Sequence, residues 1–205
     1  MEKWTELQFT MPSEFEAIVE KYTKNDEAHN LEHIREVIKS AQIICDKMDY
    51  KYNRIIELAC LMHDMGANLN NRENHHIYAK ERFFELYDLG KICVKIQDAI
   101  NIANCILEHR SSISDEERTS IESKIVAMAD TGLPCLSNYQ LLEKKIIRSM
   151  KYHLGKTGDI TQAFEEAKQH IKDKYGRNGY LHLSDTYKEI FADMLETQYD
   201  LIDQL

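Results

Sequence analysis

The chain has 205 residues, of which 43% are hydrophobic and 30% charged, with a formal net charge of −9. That length holds one domain, or a domain with a helical extension, and a sizeable core. The acidic balance excludes a general attraction to nucleic-acid polymers or anionic membranes, which depends on clustered Lys and Arg, although a local basic pocket for a phosphorylated small molecule is still allowed.

Only 7 glycines and 2 prolines punctuate the chain, so long helices are expected rather than many short strands. The five cysteines, Cys45, Cys60, Cys93, Cys105 and Cys135, never stand in C-x-x-C spacing, and most fall in apolar helical patterns where a thiol acts as a small hydrophobe. Met1 to Met11 is too polar and acidic for a signal peptide, and no apolar run approaches ~18 residues. The expectation is a reduced, cytoplasmic protein, able to self-associate but with no membrane partner.

In chain order, a first helix is expected to start at Ser13, where Glu16 completes a capping box. A second runs from about Asn30 to Met48, its stripe formed by Ile34, Val37, Ile38, Ala41, Ile44, Cys45 and Met48. Asn53 caps a third through Met62, and Gly66 suits the chain reversal after it. The Asn-rich stretch 67–73 reads as a loop. Further helices are expected over 74–89, 92–109, 116–130, 139–152, 160–175 and 185–201, with a sharp turn at Lys174-Tyr-Gly-Arg-Asn-Gly-Tyr180. The result is an all-α chain of about eight or nine helices without a sheet.

Most of this pattern is explained by apolar stripes, so the informative residues are the polar ones that lie on them. His63 and Asp64 close the apolar run Leu58-Ala-Cys-Leu-Met62, and Asp130 follows Ile125-Val-Ala-Met-Ala129. A buried carboxylate without a partner costs several kcal/mol, so each needs a metal, a cation or several donors. His33 lies one turn before Val37, and His109 continues Ile102, Cys105 and Ile106 at helical spacing. His75 and His76 open the helix that carries Ala79 and Phe83, and at least one of them faces the same interior. Singly, each histidine reads as a hydrogen-bonded core residue and each aspartate as a cap or ion-pair partner. Together, a shared divalent cation satisfies them more economically, because neutral imidazole and carboxylate are its ligands.

The order His33, His63-Asp64, Asp130 resembles the H…HD…D signature of the HD-domain superfamily. With His75 (or His76) and His109 between, it resembles the H…HD…H…H…D arrangement of two-metal members. Leu61-Met-His-Asp-Met-Gly66 is similar to the family's apolar-x-H-D-x-G segment, and Val126-Ala-Met-Ala-Asp130 to its A-x-A-D segment. Glu108-His-Arg-Ser-Ser112, Lys124-Ile-Val-Ala127 and the tail Lys174 to Leu181 resemble a group of small bacterial HD proteins predicted to be phosphohydrolases, so the likeness spans roughly residues 28 to 183.

The resemblance implies one HD domain over 1–205, with a core near 28–132 and a C-terminal helical extension over 133–205. It implies His33, His63, Asp64 and Asp130 as ligands of one metal, with Asp64 bridging to a second held by His75 and His109. The metal would be Fe, Mn, Co, Ni or Zn, and its hydroxide would attack a small phosphorylated substrate, a nucleotide being the leading class. Asp64 and His63 are then the catalytic pair. Many members place a lysine after the glycine of this segment, where this chain has Ala67, so the phosphate-binding charge must come from elsewhere. Arg110 and Lys124 are the expected phosphate contacts, with His76 and His29 as weaker candidates. Two other readings stand beside this one: oxygen chemistry at a di-iron centre, and a non-catalytic metal-bound sensor or interaction protein.

Overall fold

The computed structural model describes residue 18, residue 25, and residues 29–67, 73–134, 139–181 and 183–205. The helix expected from Ser13, the segment 68–72 and Cys135 lie outside them.

Nine helices and no strand occur among the described residues: α1 (Leu31–Lys47), α2 (Arg54–Met62), α3 (His75–Asp88), α4 (Ile96–Glu108), α5 (Ile121–Thr131), α6 (Tyr139–Thr157), α7 (Ile160–Tyr175), α8 (Asp185–Ile190) and α9 (Ala192–Asp203). The fold is all-α, as the scarcity of breakers implies. Caps set several boundaries. Asn30 accepts from the backbone N–H groups of Glu32 and His33, and Asn53 from those of Ile55 and Ile56.

Four expected boundaries move. The helix expected from Glu116 begins at Ile121, because Ser120 accepts from Ser123 N and caps it there. The preceding residues instead form a turn held by Ser114 N to Glu117 and Arg118 to Asp115. The helix expected from Ile92 begins at Ile96, with Lys95 extended before it. Helix α6 runs five residues past Tyr152, and Gly158 at φ +69° follows it. The expected 185–201 helix is two, broken at Phe191, whose fully inserted ring has neither flanking helix's geometry (φ −123°, ψ 18°).

Helices α1 to α5 enclose one apolar cluster, with Ile34, Ile38, Ile44, Ile56, Leu58, Leu61, Phe83 and Ile102 at its centre. Tyr187, Phe191 and Leu195, in and between α8 and α9, join the same cluster. Leu142, Ile146, Ala167, Ile171 and Ile202 form a second cluster between α6, α7 and α9. Lys144 and Arg148 of α6 reach Glu36 of α1 at 3.4 and 3.0 Å. No helix among the described residues is long and apolar enough to cross a membrane.

Candidate metal centre

Five elements deliver the polar residues to one place inside the main core. His33 comes from the first turn of α1, His63 and Asp64 from the end of α2, and His75 from the start of α3. His109 follows α4, and Asp130 lies in the last turn of α5. Two of these histidines are also the C-caps of their helices. His63 Nδ1 lies 2.8 Å from Cys60 O, and His109 Nδ1 lies 2.6 Å from Ile106 O. Each ring therefore donates its Nδ1 proton to a carbonyl left over at a helix end, which fixes the tautomer and turns the Nε2 lone pair inward.

What those lone pairs meet defines the site. Asp64 Oδ2 is 3.1 Å from His63 Nε2 and 3.3 Å from His33 Nε2, while Asp130 Oδ1 is 3.1 Å from His33 Nε2 and 3.4 Å from His63 Nε2. The other oxygen, Asp64 Oδ1, is 3.2 Å from His75 Nε2 and 3.7 Å from His109 Nε2, and the two nitrogens are 3.0 Å apart. Two sets result: His33, His63, Asp64 and Asp130, and Asp64, His75 and His109, with the ligand atoms of each within 4.8 Å of one another.

The chemistry of this donor set fits a cation. His63 Nε2 and Asp64 Oδ2 are buried, sit at hydrogen-bonding distance, and yet neither has a partner in hydrogen-bonding geometry. They converge on a common point instead of on each other. Two acceptors so placed are costly to bury unless a positive charge lies between them. A buried group of this composition could hold a divalent metal, with Asp64 shared between two positions.

Electrostatics describe the metal-free alternative. Burial alone would lower the His63 pKa, but the nearby Asp64 and Asp130 carboxylates hold it well above the ordinary value. Asp64 and Asp130 are pushed up by burial and pulled further down by the surrounding histidines, so both remain carboxylates. A proton on His63 is thus the substitute for a metal. Burial and the His63 charge lower His109 to about 3, so the second set presents a neutral imidazole.

The other expected site residues are placed as follows. His29 stands between the two sets, its ring centroid 6.3 Å from His33 and 5.9 Å from His75, and it acts electrostatically on Asp64 without belonging to either set. Of the His75–His76 pair, His75 turns to Asp64; His76 points elsewhere, its pKa lowered to about 4 by burial, Arg110 and His75. Arg110 lies at this His75 end and donates to Glu73 O at 2.6 Å. Lys124 stands about 240° around α5 from Asp130, six residues at ~100° each, and acts on Glu116 instead. Ala67 is fully buried, so this position has no room to present a cation to solvent.

One residue escaped the sequence reading. Asn25 donates to Asp64 O at 2.8 Å and to His29 O at 2.7 Å, and accepts from Gly66 N at 3.2 Å. It clamps both sides of the reversal that carries Asp64, where Gly66 adopts φ +86°, a region that costs other residues strain. An isolated Asn in a polar stretch has no sequence signal for such a role, because two of its three partners are backbone groups about 40 residues away.

Among known families, residues 30–131 match the HD domain. The match supports a place for this segment in the HD superfamily. No curated protein and no solved structure gave a match. The matched segment ends at Thr131, one residue past Asp130, and so carries every residue of both sets; α6 to α9 lie beyond it. HD domains are in general metal-dependent hydrolases, and the buried His/Asp cluster of this one fits that class.

Proposed function

We propose that this HD-domain protein is a metal-dependent phosphohydrolase that acts on a small phosphorylated molecule, nucleotides being the first class to test. The observation that carries the reading is the shared Asp64, one oxygen facing His33 and His63 and the other facing His75 and His109. Such an arrangement supports two ions held close together, the geometry that suits phosphoryl chemistry. Bound Fe, Mn, Co, Ni or Zn would supply Lewis-acid activation of a phosphoryl oxygen and of water.

The residues of the chain do the rest. His33, His63, Asp64 and Asp130 would hold one ion, and Asp64, His75 and His109 would hold the other. Cys60 O and Ile106 O keep His63 and His109 in the tautomer that can ligate. The apolar walls of α1 to α5 keep bulk water away, which strengthens each charge interaction inside. Arg110, near His76, would meet an anionic substrate, with His76 and His29, both beside His75, as weaker contacts. The free thiols Cys45, Cys60, Cys93 and Cys105 accord with a reducing cytoplasmic setting.

Purified protein should carry at least one transition-metal ion per chain, and Asp64→Ala should remove most of it while the helical circular dichroism stays. Full metal content in that variant would overturn the ligand assignment. With metal verified in place, a panel of nucleotides and phosphoesters should release phosphate from at least one member. No release from any, combined with oxygen consumption by the iron-loaded protein, would replace hydrolysis with oxygen chemistry.

A further inference from the structure

The residues of the centre differ in how far solvent reaches them. Asp64 is 2% exposed and His63 wholly buried, whereas the Asp130 side chain keeps 28% of its surface accessible. Asp130 is thus the most accessible of the six side chains and marks one approach for a ligand. Beyond it stand three residues from outside the HD segment: Lys145 on α6, and Lys174 and Tyr175 at the end of α7.

Their placement is fixed from several directions. Lys145 Nζ donates to Thr131 O at 3.1 Å, the carbonyl next in sequence to Asp130, and lies 4.3 Å from the Tyr175 ring centroid. Lys174 Nζ lies 5.0 Å from the same centroid. Asp130 acts electrostatically on both Lys174 and Tyr175. The turn after α7 locks this pair: Leu181 N donates to Lys174 O at 3.2 Å, Tyr180 N to Asp173 O at 2.9 Å and Gly179 N to Gly176 O at 2.8 Å. A Cβ at Gly179 would lie 2.5 Å from Lys174 O, so the glycine is what lets the strap close. The sharp turn of the sequence thus holds two half-buried side chains on the Asp130 side of the centre.

These ammonium groups are not consumed by acidic neighbours. Neither forms an ion pair with a carboxylate among the described residues, although the chain has 35 acidic residues against 26 basic ones. Confining two cations together half out of water is unfavourable unless an anion joins them. The Tyr175 phenol accounts for part of this, since Lys174 and Lys145 lower its pKa against the effect of burial. It adds a polar hydroxyl to the same small area. Two other lysines of these helices do have acidic partners: Lys144 pairs with Glu36 and Lys168 with Glu165.

We propose that Lys145, Lys174 and Tyr175 form an anion subsite on the Asp130 side of the centre, which takes a phosphate group of the substrate. It supplies from the C-terminal helices the charge that buried Ala67 cannot offer. The identity of the anion as part of a substrate rests on the phosphohydrolase reading above; the subsite itself does not.

Inorganic phosphate serves as the probe, titrated calorimetrically into the metal-loaded full chain. Lys145→Gln and Lys174→Gln should each weaken phosphate binding by about tenfold, the scale of one charge-assisted contact, and Lys174→Arg should retain most of it. Metal content should stay unchanged in all three, and Lys168→Gln should bind as the parent does. As a check that needs no variant, phosphate should protect Lys145 and Lys174 of the parent protein, and not Lys168, from reductive methylation read by mass spectrometry. Unchanged affinity in a folded Lys145→Gln, Lys174→Gln double variant, no binding by the parent, or no protection of either lysine would overturn the subsite. Lysine-dependent phosphate binding by a protein that hydrolyses nothing would keep the subsite and remove the hydrolase assignment.

Discussion

Asp64 shows how much one side chain can be asked to do. At 2% exposure it has four imidazoles around its two oxygens, at 3.1 to 3.7 Å, and one of those oxygens has no hydrogen-bond partner. Its charge is kept because His63 and His33 stand beside it, and His63 is in turn kept protonated when no metal is present. His109 has the opposite sign. Its folded-state pKa is lowered from 6.5 to about 3, so the unfolded chain takes up a proton near 6.5 that the folded one refuses. Its contribution to stability is complete above 6.5 and is lost as the pH falls from there towards 3. In chelator-treated protein, urea unfolding free energies should therefore drop across this window, by up to about 1.4 kcal/mol per pH unit for one proton. His109→Gln should flatten that slope. Equal slopes in variant and parent would show that His109 is not the buried neutral imidazole described here. His63 acts against this trend, because its raised pKa contributes stability below 6.5 that fades as the pH rises.

Helix ends, more than helix faces, build the centre. His63 and His109 are C-caps, and each satisfies a carbonyl at the end of its helix with one ring nitrogen while offering the other to the site. His33 and His75 belong to first turns, and Asp130 to a last turn. A terminal position lets a residue project into a space where several helices converge, which a mid-helix position would fill with packing. The reversal at Asp64 depends on Asn25, whose amide bonds both Asp64 O and Gly66 N. Asn25→Ala should leave helix content intact but weaken metal affinity by about 10- to 100-fold, as loss of an outer positioning contact does elsewhere. Metal titration of the two proteins followed by calorimetry checks this, and equal affinities would reduce Asn25 to a loop staple.

Over the whole molecule, the charge problem is distributed. Five elements each contribute a group that is unfavourable alone, and none can satisfy its own without the others. The unfolded chain scatters those groups over nearly 100 residues, so a metal binds the folded state in preference. Chelation should lower the thermal midpoint, and restoring metal at 100 to 1,000 times its dissociation constant should return about 3–4 kcal/mol. A midpoint indifferent to chelator and metal would mean that the centre is filled by protons alone.

Much of this could be read from residues in order. The apolar stripes of α1 and α5, the caps Asn30 and Asn53, and the conflict of Asp64 and Asp130 with their apolar surroundings are local features, and local features survive in sequence. So the helical class, the inward His33, His63, Asp64, His109 and Asp130, and one further histidine out of His75 and His76 follow from spacing and from the cost of burying charge. Their convergence, and the selection of His75 over His76, required the packed helices, because two adjacent residues differ only in which way the helix is rotated against its neighbours. Lys124 shows the same dependence on packing: it lies near Asp130 in the chain but on another face of α5. Asn25, Lys145 and Lys174 reach the centre from about 40, 15 and 44 residues away, through backbone contacts or packing that no periodicity encodes. The sequence by itself determined which residues cannot be buried unaided; the tertiary structure decided which of them share a partner and from which side an anion can reach it.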